Sequence, residues 1–295
     1  SRSGGKVHKA HVSSIKKKEL MCYFLKKTVL TREGTKESAL RVIGGRDAKP
    51  SEFPFVVRML LRKTYKISKK RISINYEHLC TASVITPIWS LTAAHCIEDF
   101  SYVNPYSCIV IFYGSKKDLL DNKAYSWVLS LLRAPQNHYA ALQFQYDVAL
   151  LKTEPIALNS YGKISAVEIA SLYGHEVWAM GHGDTNSSDE IDDTMHLYKP
   201  LQVVKVMLTR CNNDDVFVDI DELMLCVAHK CGEPAYICNG DSGGPLIHSS
   251  GIVAINSQGL DNCYDMTERL FPLVALVQPI SHFVDWIANQ VTQGT

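Results

Sequence analysis

Gly240-Asp241-Ser242-Gly243-Gly244-Pro245 is the most informative stretch of this 295-residue chain. Glycines stand on both sides of one serine, and a backbone with so few Cβ atoms can turn tightly enough to aim the serine hydroxyl and the adjacent N–H groups at one point. Gly, Ser and Asp in a cluster are by themselves the composition of an ordinary turn. What separates the two readings lies upstream. Thr92-Ala93-Ala94-His95-Cys96 supplies a histidine beside a cysteine, and Asp147-Val148-Ala149-Leu150-Leu151 supplies a carboxylate at the head of an apolar strand. A serine hydroxyl is a weak nucleophile until a base removes its proton, and the base needs a carboxylate to fix its tautomer and stabilise the imidazolium. Ser242, His95 and Asp147 are therefore the candidate catalytic set, in the chain order His, Asp, Ser.

Around these motifs, short apolar or alternating runs recur between turn signals: 53–61, 71–76, 108–113, 148–152, 177–180, 201–208 and 252–256. That spacing predicts an all-β sandwich or barrel and not alternating strand and helix. Ser249-Ser250-Gly251 predicts a hairpin turn, with 245–247 entering and 252–255 leaving. Only the last stretch reads as helix: Ile280, Phe283, Val284, Ile287 and Val291 share one face, and Pro279 and Ser281 mark its start.

With 46% hydrophobic and 21% charged residues, the chain can bury one large core or two packed halves. Its net charge of +1 hides an asymmetry: residues 1–41 carry eleven Lys/Arg against three Asp/Glu, a net +8, and the remaining twenty basic and twenty-seven acidic residues leave −7. The basic leader shows neither helical nor strand periodicity and reads as an extended segment. The acidic body carries no nucleic-acid footprint, and no run reaches the length of a membrane span. No signal peptide is visible, and since Ser1 is not a Met, an upstream signal is expected to lie outside this sequence. Nine cysteines without a CxxC pair point to disulfides in an oxidising compartment, and the sequon at Asn186 agrees with a secreted, extracellular protein. His8 with His11, and His175 with His182, lack the partners that define a metal site, so no metal is expected.

In these motifs, residues 42 to about 288 resemble the chymotrypsin-like (trypsin-family) serine proteases, at both ends of the domain and at all three catalytic positions. The resemblance implies an all-β fold of two packed six-stranded antiparallel β-barrels with the active site in the cleft between them, and a C-terminal helix. It implies a basic leader or propeptide over 1–41 and a protease domain over 42–295. It also implies a zymogen cut between Arg41 and Val42 of Arg41-Val42-Ile43-Gly44-Gly45, after which the Val42 ammonium pairs with Asp241 and the N–H groups of Gly240 and Ser242 form an oxyanion hole. The implied disulfides are Cys80–Cys96, Cys211–Cys226 and Cys238–Cys263. Cys22, Cys108 and Cys231 remain, and either of the last two can tether Cys22. The implied partners are a protein or peptide substrate, an activating protease and a protein inhibitor, with no cofactor.

The substrate pocket departs from the trypsin pattern. Where trypsin-like members place an aspartate six residues before the nucleophile, this chain has Tyr236, followed by Ile237. Without a buried carboxylate an incoming guanidinium is uncompensated, so cleavage after Lys or Arg is not expected. Ala254-Ile255-Asn256 falls where the family has Ser-Trp-Gly, which sets these three at the pocket entrance, with Ala275 on the far wall. Two readings follow: a serine endopeptidase with a shallow pocket preferring small or medium apolar side chains, or a relaxed pocket whose true floor lies at another residue. The competing reading is a non-catalytic homologue that binds a partner or regulates a cascade.

Overall fold

The computed structural model describes residues 45–68, 71–100, 108–114, 118, 121, 123–135, 146–183, 199–211, 224–228, 237–238, 240–259 and 275–293. Arg41, Val42, Cys22, Cys231, Tyr236, Cys263 and Asn186 lie outside them, and so does the whole basic leader, 1–41. After a two-residue strand β1 (Arg46–Asp47), six strands follow: β2 (Val56–Ser68), β3 (Arg71–Thr86), β4 (Trp89–Thr92), β5 (Ile109–Phe112), β6 (Tyr125–Arg133) and β7 (Ala149–Thr153). They close into an antiparallel barrel in the order β2-β3-β4-β7-β6-β5, with β5 returning to β2 through Arg58↔Phe112 to Leu61↔Ile109.

The second barrel contains β8 (Glu176–Gly181), β9 (Gln202–Thr209), β10 (Leu225–Ala228), β11 (Pro245–His248), β12 (Gly251–Gln258) and β13 (Ala275–Pro279). Its order is β9-β10-β13-β12-β11-β8, and pairing of β8 with β9 closes the ring. Strand β1 adds to the outside of β9 through Arg46↔Val203. The Arg46 guanidinium grips Glu52 and lies over the Trp178 ring at 5.2 Å, which fixes the chain just after Gly45 on this barrel. A helix, α1 (Val284–Gln293), preceded by a 3-10 turn over Ser281–Phe283, ends the described chain. The two six-stranded barrels and the terminal helix agree with the fold expected from the sequence.

Strand β5, Ile109-Val110-Ile111-Phe112, shows why several runs are apolar throughout instead of alternating. Ile109 and Ile111 point into the first barrel's core with Val57, Met59, Leu91 and Leu150. Val110 and Phe112 point the other way and are covered by Leu60 and Tyr76. Both faces are buried, so the period of two leaves no polar stripe. The second core is built likewise from Val204, Val206 and Leu208 of β9 against Leu225, Val253 and Val277.

The helix returns to the first half of the molecule. Phe283 and Ile287 join the first barrel's core together with Ile252, Ile255 and Ile280. Chain from the second half thus packs into the core of the first, and the two barrels are tied by apolar burial as well as by the backbone.

Two disulfides are described, Cys80–Cys96 and Cys211–Cys226. The first ties β3 to the turn that carries His95 and closes a 16-residue separation. By chain entropy, a loop of this size contributes about 3 kcal/mol. Replacing both Cys80 and Cys96 by Ala is expected to lower the unfolding free energy by roughly that amount in a urea titration. A loss below about 1 kcal/mol would show that the barrel holds this turn without the bridge.

Candidate active site

His95 begins the 3-10 turn His95–Phe100 directly after β4, and Asp147 sits two residues before β7. Because β4 and β7 are paired, Thr92↔Ala149, the two residues emerge at the same end of the first barrel. Asp147 then grips His95 twice. Its Oδ1 accepts the His95 backbone N–H at 2.8 Å and its Oδ2 meets the imidazole Nδ1 at 2.7 Å. The carboxylate is 5% exposed and the His95 side chain 38% exposed, so a buried charge holds one nitrogen of a ring that solvent still reaches.

Two further groups hold Asp147, one at its carboxylate and one at its backbone. Ser257 Oγ donates to Asp147 Oδ2 at 2.6 Å, and the Asp147 N–H donates to Gln278 Oε1 at 3.2 Å. Tyr146 just before it has φ of +64°, a left-handed conformation that costs a side-chain-bearing residue about 1–2 kcal/mol. Its ring meets Phe283 edge to face at 5.9 Å, which holds the turn. Burial works against a charged imidazole at His95, but the hydrogen bond and negative charge of Asp147, helped by Glu98, outweigh it and raise the pKa above the usual histidine value.

Ser242 occupies the loop between the 237–238 segment and β11, and this loop is docked on the first barrel. The Thr81 N–H donates to the Ser242 carbonyl at 2.9 Å. Gly243 has φ of +77°, and a Cβ there would run into Thr92 Oγ1 and the Thr81 carbonyl, so glycine is required where the loop crosses the end of β4. Ser242 is thereby brought beside the Thr92-Ala93-Ala94-His95 segment. Among the described residues, the Ser242 hydroxyl makes no hydrogen bond to His95, and His95 Nε2 lies 3.8 Å from Cys96 Sγ. Serine–base contacts are commonly long without substrate.

The peptide ahead of the serine is fastened from three sides. The Gly240 carbonyl accepts from Thr81 Oγ1 at 2.9 Å and from His78 Nε2 at 3.0 Å. Thr81 Oγ1 in turn accepts the His182 N–H at 3.0 Å. His182 is fully enclosed, and burial, with the nearby Arg58 and His78, pushes its pKa well below the usual histidine value, so it is neutral. Asp241 is 1% exposed: Oδ1 accepts the Gly183 N–H at 2.8 Å and Oδ2 the Cys238 N–H at 3.0 Å. Two main-chain donors thus solvate a buried carboxylate beside the candidate nucleophile. Cys238 is disulfide-bonded.

The pocket residues named from the sequence need correction. Ala254 and Ile255 are wholly buried in the two barrel cores, and Ile237 and Ala275 pack in the core of the second. Asn256 is 1% exposed, and its Nδ2 donates to the Met180 and Asp241 carbonyls at 3.1 Å each. It pins the Ser242 loop from behind and does not narrow an entrance. The residue of β12 that reaches the Asp147 carboxylate is Ser257. Three residues later, Ser257-Gln258-Gly259 carries a serine and a glycine at the same spacing as Ser-Trp-Gly. Burial pushes the Cys108 thiol up.

This arrangement of barrels and polar residues has known counterparts. A family model described as Trypsin matches residues 42–287. The chain belongs to the trypsin family. Among curated proteins, this trypsin-family chain is 28% identical over 273 residues to transmembrane protease serine 5 of Homo sapiens, an alignment covering 86% of this chain and 52% of that protein. The chain thus spans about half the length of the curated relative it matches. Among solved structures its fold is similar to neuropsin, a serine protease expressed in the limbic system of mouse brain, with a TM-score of 0.60 and 20% identity over 84% of this chain and 98% of that one.

Thr81 is the residue of this site with the most to lose from a small change. Thr81→Val leaves the His182 N–H and the Gly240 carbonyl each short of a partner in a buried setting, and is expected to cost about 1–3 kcal/mol of unfolding free energy. Thr81→Ser keeps the hydroxyl and should retain most of it. Equal stability of the Val variant and the parent chain in chemical denaturation would show that the threonine hydroxyl carries no weight.

Proposed function

We propose that this trypsin-family chain is a serine endopeptidase that cleaves peptide bonds through an acyl-enzyme on Ser242. The observation that supports it most is the double grip of a buried carboxylate, Asp147, on His95 at 2.7 and 2.8 Å. Held in this way, the imidazole presents Nε2 as the base that takes the Ser242 proton. The serine oxygen bonds to the scissile carbonyl carbon, the proton then passes from His95 to the leaving amine, and the peptide C–N bond breaks. Water, deprotonated by the same imidazole, displaces Ser242 and releases the acid. The N–H groups of Gly240 and Ser242 are the donors for the oxyanion, on a loop whose turn is fixed through the Gly240 and Ser242 carbonyls.

Residues 1–41 serve, in this proposal, as a propeptide on a protease domain over 42–295. Cleavage after Arg41 frees Val42, whose ammonium pairs with Asp241. That role suits a buried carboxylate already held between the Gly183 and Cys238 amides, since an added cation compensates its charge. The protein acts outside the cell, where disulfides such as Cys80–Cys96 persist. With Tyr236 in place of a pocket aspartate, it prefers apolar residues to Lys or Arg at the cleavage point.

Reaction with a fluorophosphonate probe tests the proposal. Chain cut after Arg41 is expected to label on Ser242, the uncut chain at least tenfold more slowly, and Ser242→Ala not at all. Absence of labelling of the cut chain would favour the binding or regulatory homologue. A peptide-library digest of the same material should show little cleavage after Lys or Arg; dominant cleavage there would overturn the pocket assignment.

A further inference from the structure

The second barrel holds a histidine pair that the catalytic scheme does not use. His175 ends the turn before β8 and His248 ends β11, seventy-three residues later in the chain. The sequence places His175 near His182; the fold places it against His248 instead. Their rings lie with centroids 5.3 Å apart, and His175 Nδ1 is 3.3 Å from His248 Nε2. His175 is exposed and His248 half-buried, so the pair is open to solvent.

The two nitrogens face each other, and each imidazole offers a lone pair once its proton there is removed. A tetrahedral ion with metal–nitrogen bonds of about 2.0–2.1 Å requires its ligand atoms to be about 3.3–3.4 Å apart. The observed separation already has that value. The backbones that carry the rings are fixed as well. The His175 N–H donates to the Leu172 carbonyl at 3.0 Å, its carbonyl accepts the Leu208 N–H at 3.0 Å, and His248 is paired with Gly251 in the β11–β12 hairpin.

The far side of His248 carries the support a ligating ring needs. Its Nδ1 lies 3.0 Å from Ser250 Oγ, which lies 2.8 Å from Ser165 Oγ. With Nδ1–H donating to Ser250 Oγ, which passes its own proton on to Ser165 Oγ, the tautomer leaves the Nε2 lone pair directed at His175. The Ser250 N–H, 3.4 Å from the same Nδ1, is the longer contact and gives way in that tautomer. Glu176, beside His175, is occupied by Lys205 at 3.3 Å and is not counted as a ligand.

We propose that His175 and His248 form a two-histidine binding site for a divalent transition-metal ion of the zinc, nickel and copper group, with water in the remaining coordination positions. Imidazole nitrogen suits this group and not calcium or magnesium, which take oxygen ligands. The ion would clamp the start of β8 to the end of β11. Those strands lead, at their other ends, to Gly181 below Asp241 and to the loop bearing Ser242.

Calorimetric titration of the full chain with zinc chloride, with His175→Ala, His248→Ala and His95→Ala run in parallel, tests the site. The parent chain and the His95 variant are expected to bind one zinc with equal affinity, and each of the other two at least tenfold more weakly. Copper(II) EPR of the parent chain should show two imidazole nitrogens, and one fewer in either His175→Ala or His248→Ala. Near-UV circular dichroism confirms that both variants are folded. Absence of zinc binding by the parent chain, unchanged affinity in His175→Ala and His248→Ala, or loss of the site in His95→Ala would each overturn the proposal.

Discussion

The carboxylate of Asp147 is the constraint on which the site depends. Placed at 5% exposure, it must be given partners from within the fold: three hydrogen bonds reach the carboxylate, and a fourth, from the residue's own N–H, anchors its backbone. The His95 main chain and ring come from the end of β4, Ser257 from β12, and Gln278, which receives the Asp147 N–H, from β13. Asp147 thus belongs to the first barrel while two of its partners belong to the second. A charge that neither barrel satisfies alone makes their mutual position matter energetically, since an unsatisfied buried charge costs far more than a misplaced methyl group.

The same logic governs the loop of Ser242. Asp241 is nearly sealed from water, and its oxygens are held by N–H groups of Gly183 and Cys238. Thr81, from β3 of the first barrel, reaches across to the carbonyls on either side of it, those of Gly240 and Ser242. Asn256 closes the arrangement from β12 with two donors to backbone carbonyls. The loop is therefore held by hydrogen bonds and not by apolar packing. Such a loop keeps a defined turn only while each partner is in place.

Much of this was legible in the sequence where chemistry needs a fixed set of residues. Glycines around Ser242, a histidine next to a bridged cysteine and an aspartate heading an apolar strand carry their meaning at any register. Strands were legible where both faces are apolar, as in β5, or where apolar and exposed residues alternate, as along most of β9. Strand β6 was not, because its large residues and its buried residues are on opposite faces. Ser126 and Val128 are buried, while Tyr125 and Trp127 lie outside against each other, with Arg62 over the Trp127 ring. Short β4 and β10, four residues each, gave too little period to read. The entrance register failed for a related reason. Ala254, Ile255 and Asn256 continue an apolar strand without a break, and only the contact of Ser257 with Asp147 fixes which serine faces the site. Thr81 and His182 carry no motif, since their roles arise from chain that meets 101 residues apart.

The rate of fluorophosphonate labelling of Ser242 as a function of pH, in chain cut after Arg41 and in its Asp147→Asn variant, tests the role of the carboxylate most directly. Asp147 raises the His95 pKa, so the imidazolium persists to higher pH and the base is lost from the acid side. The acid limb should lie above the ordinary imidazole value of about 6.5, with full rate only above it. The Asn variant should be slower by about four orders of magnitude, the loss found when an amide replaces this carboxylate in a related triad. An Asn variant within tenfold of the parent chain, or an acid limb at or below 6.5, would contradict the role assigned to Asp147.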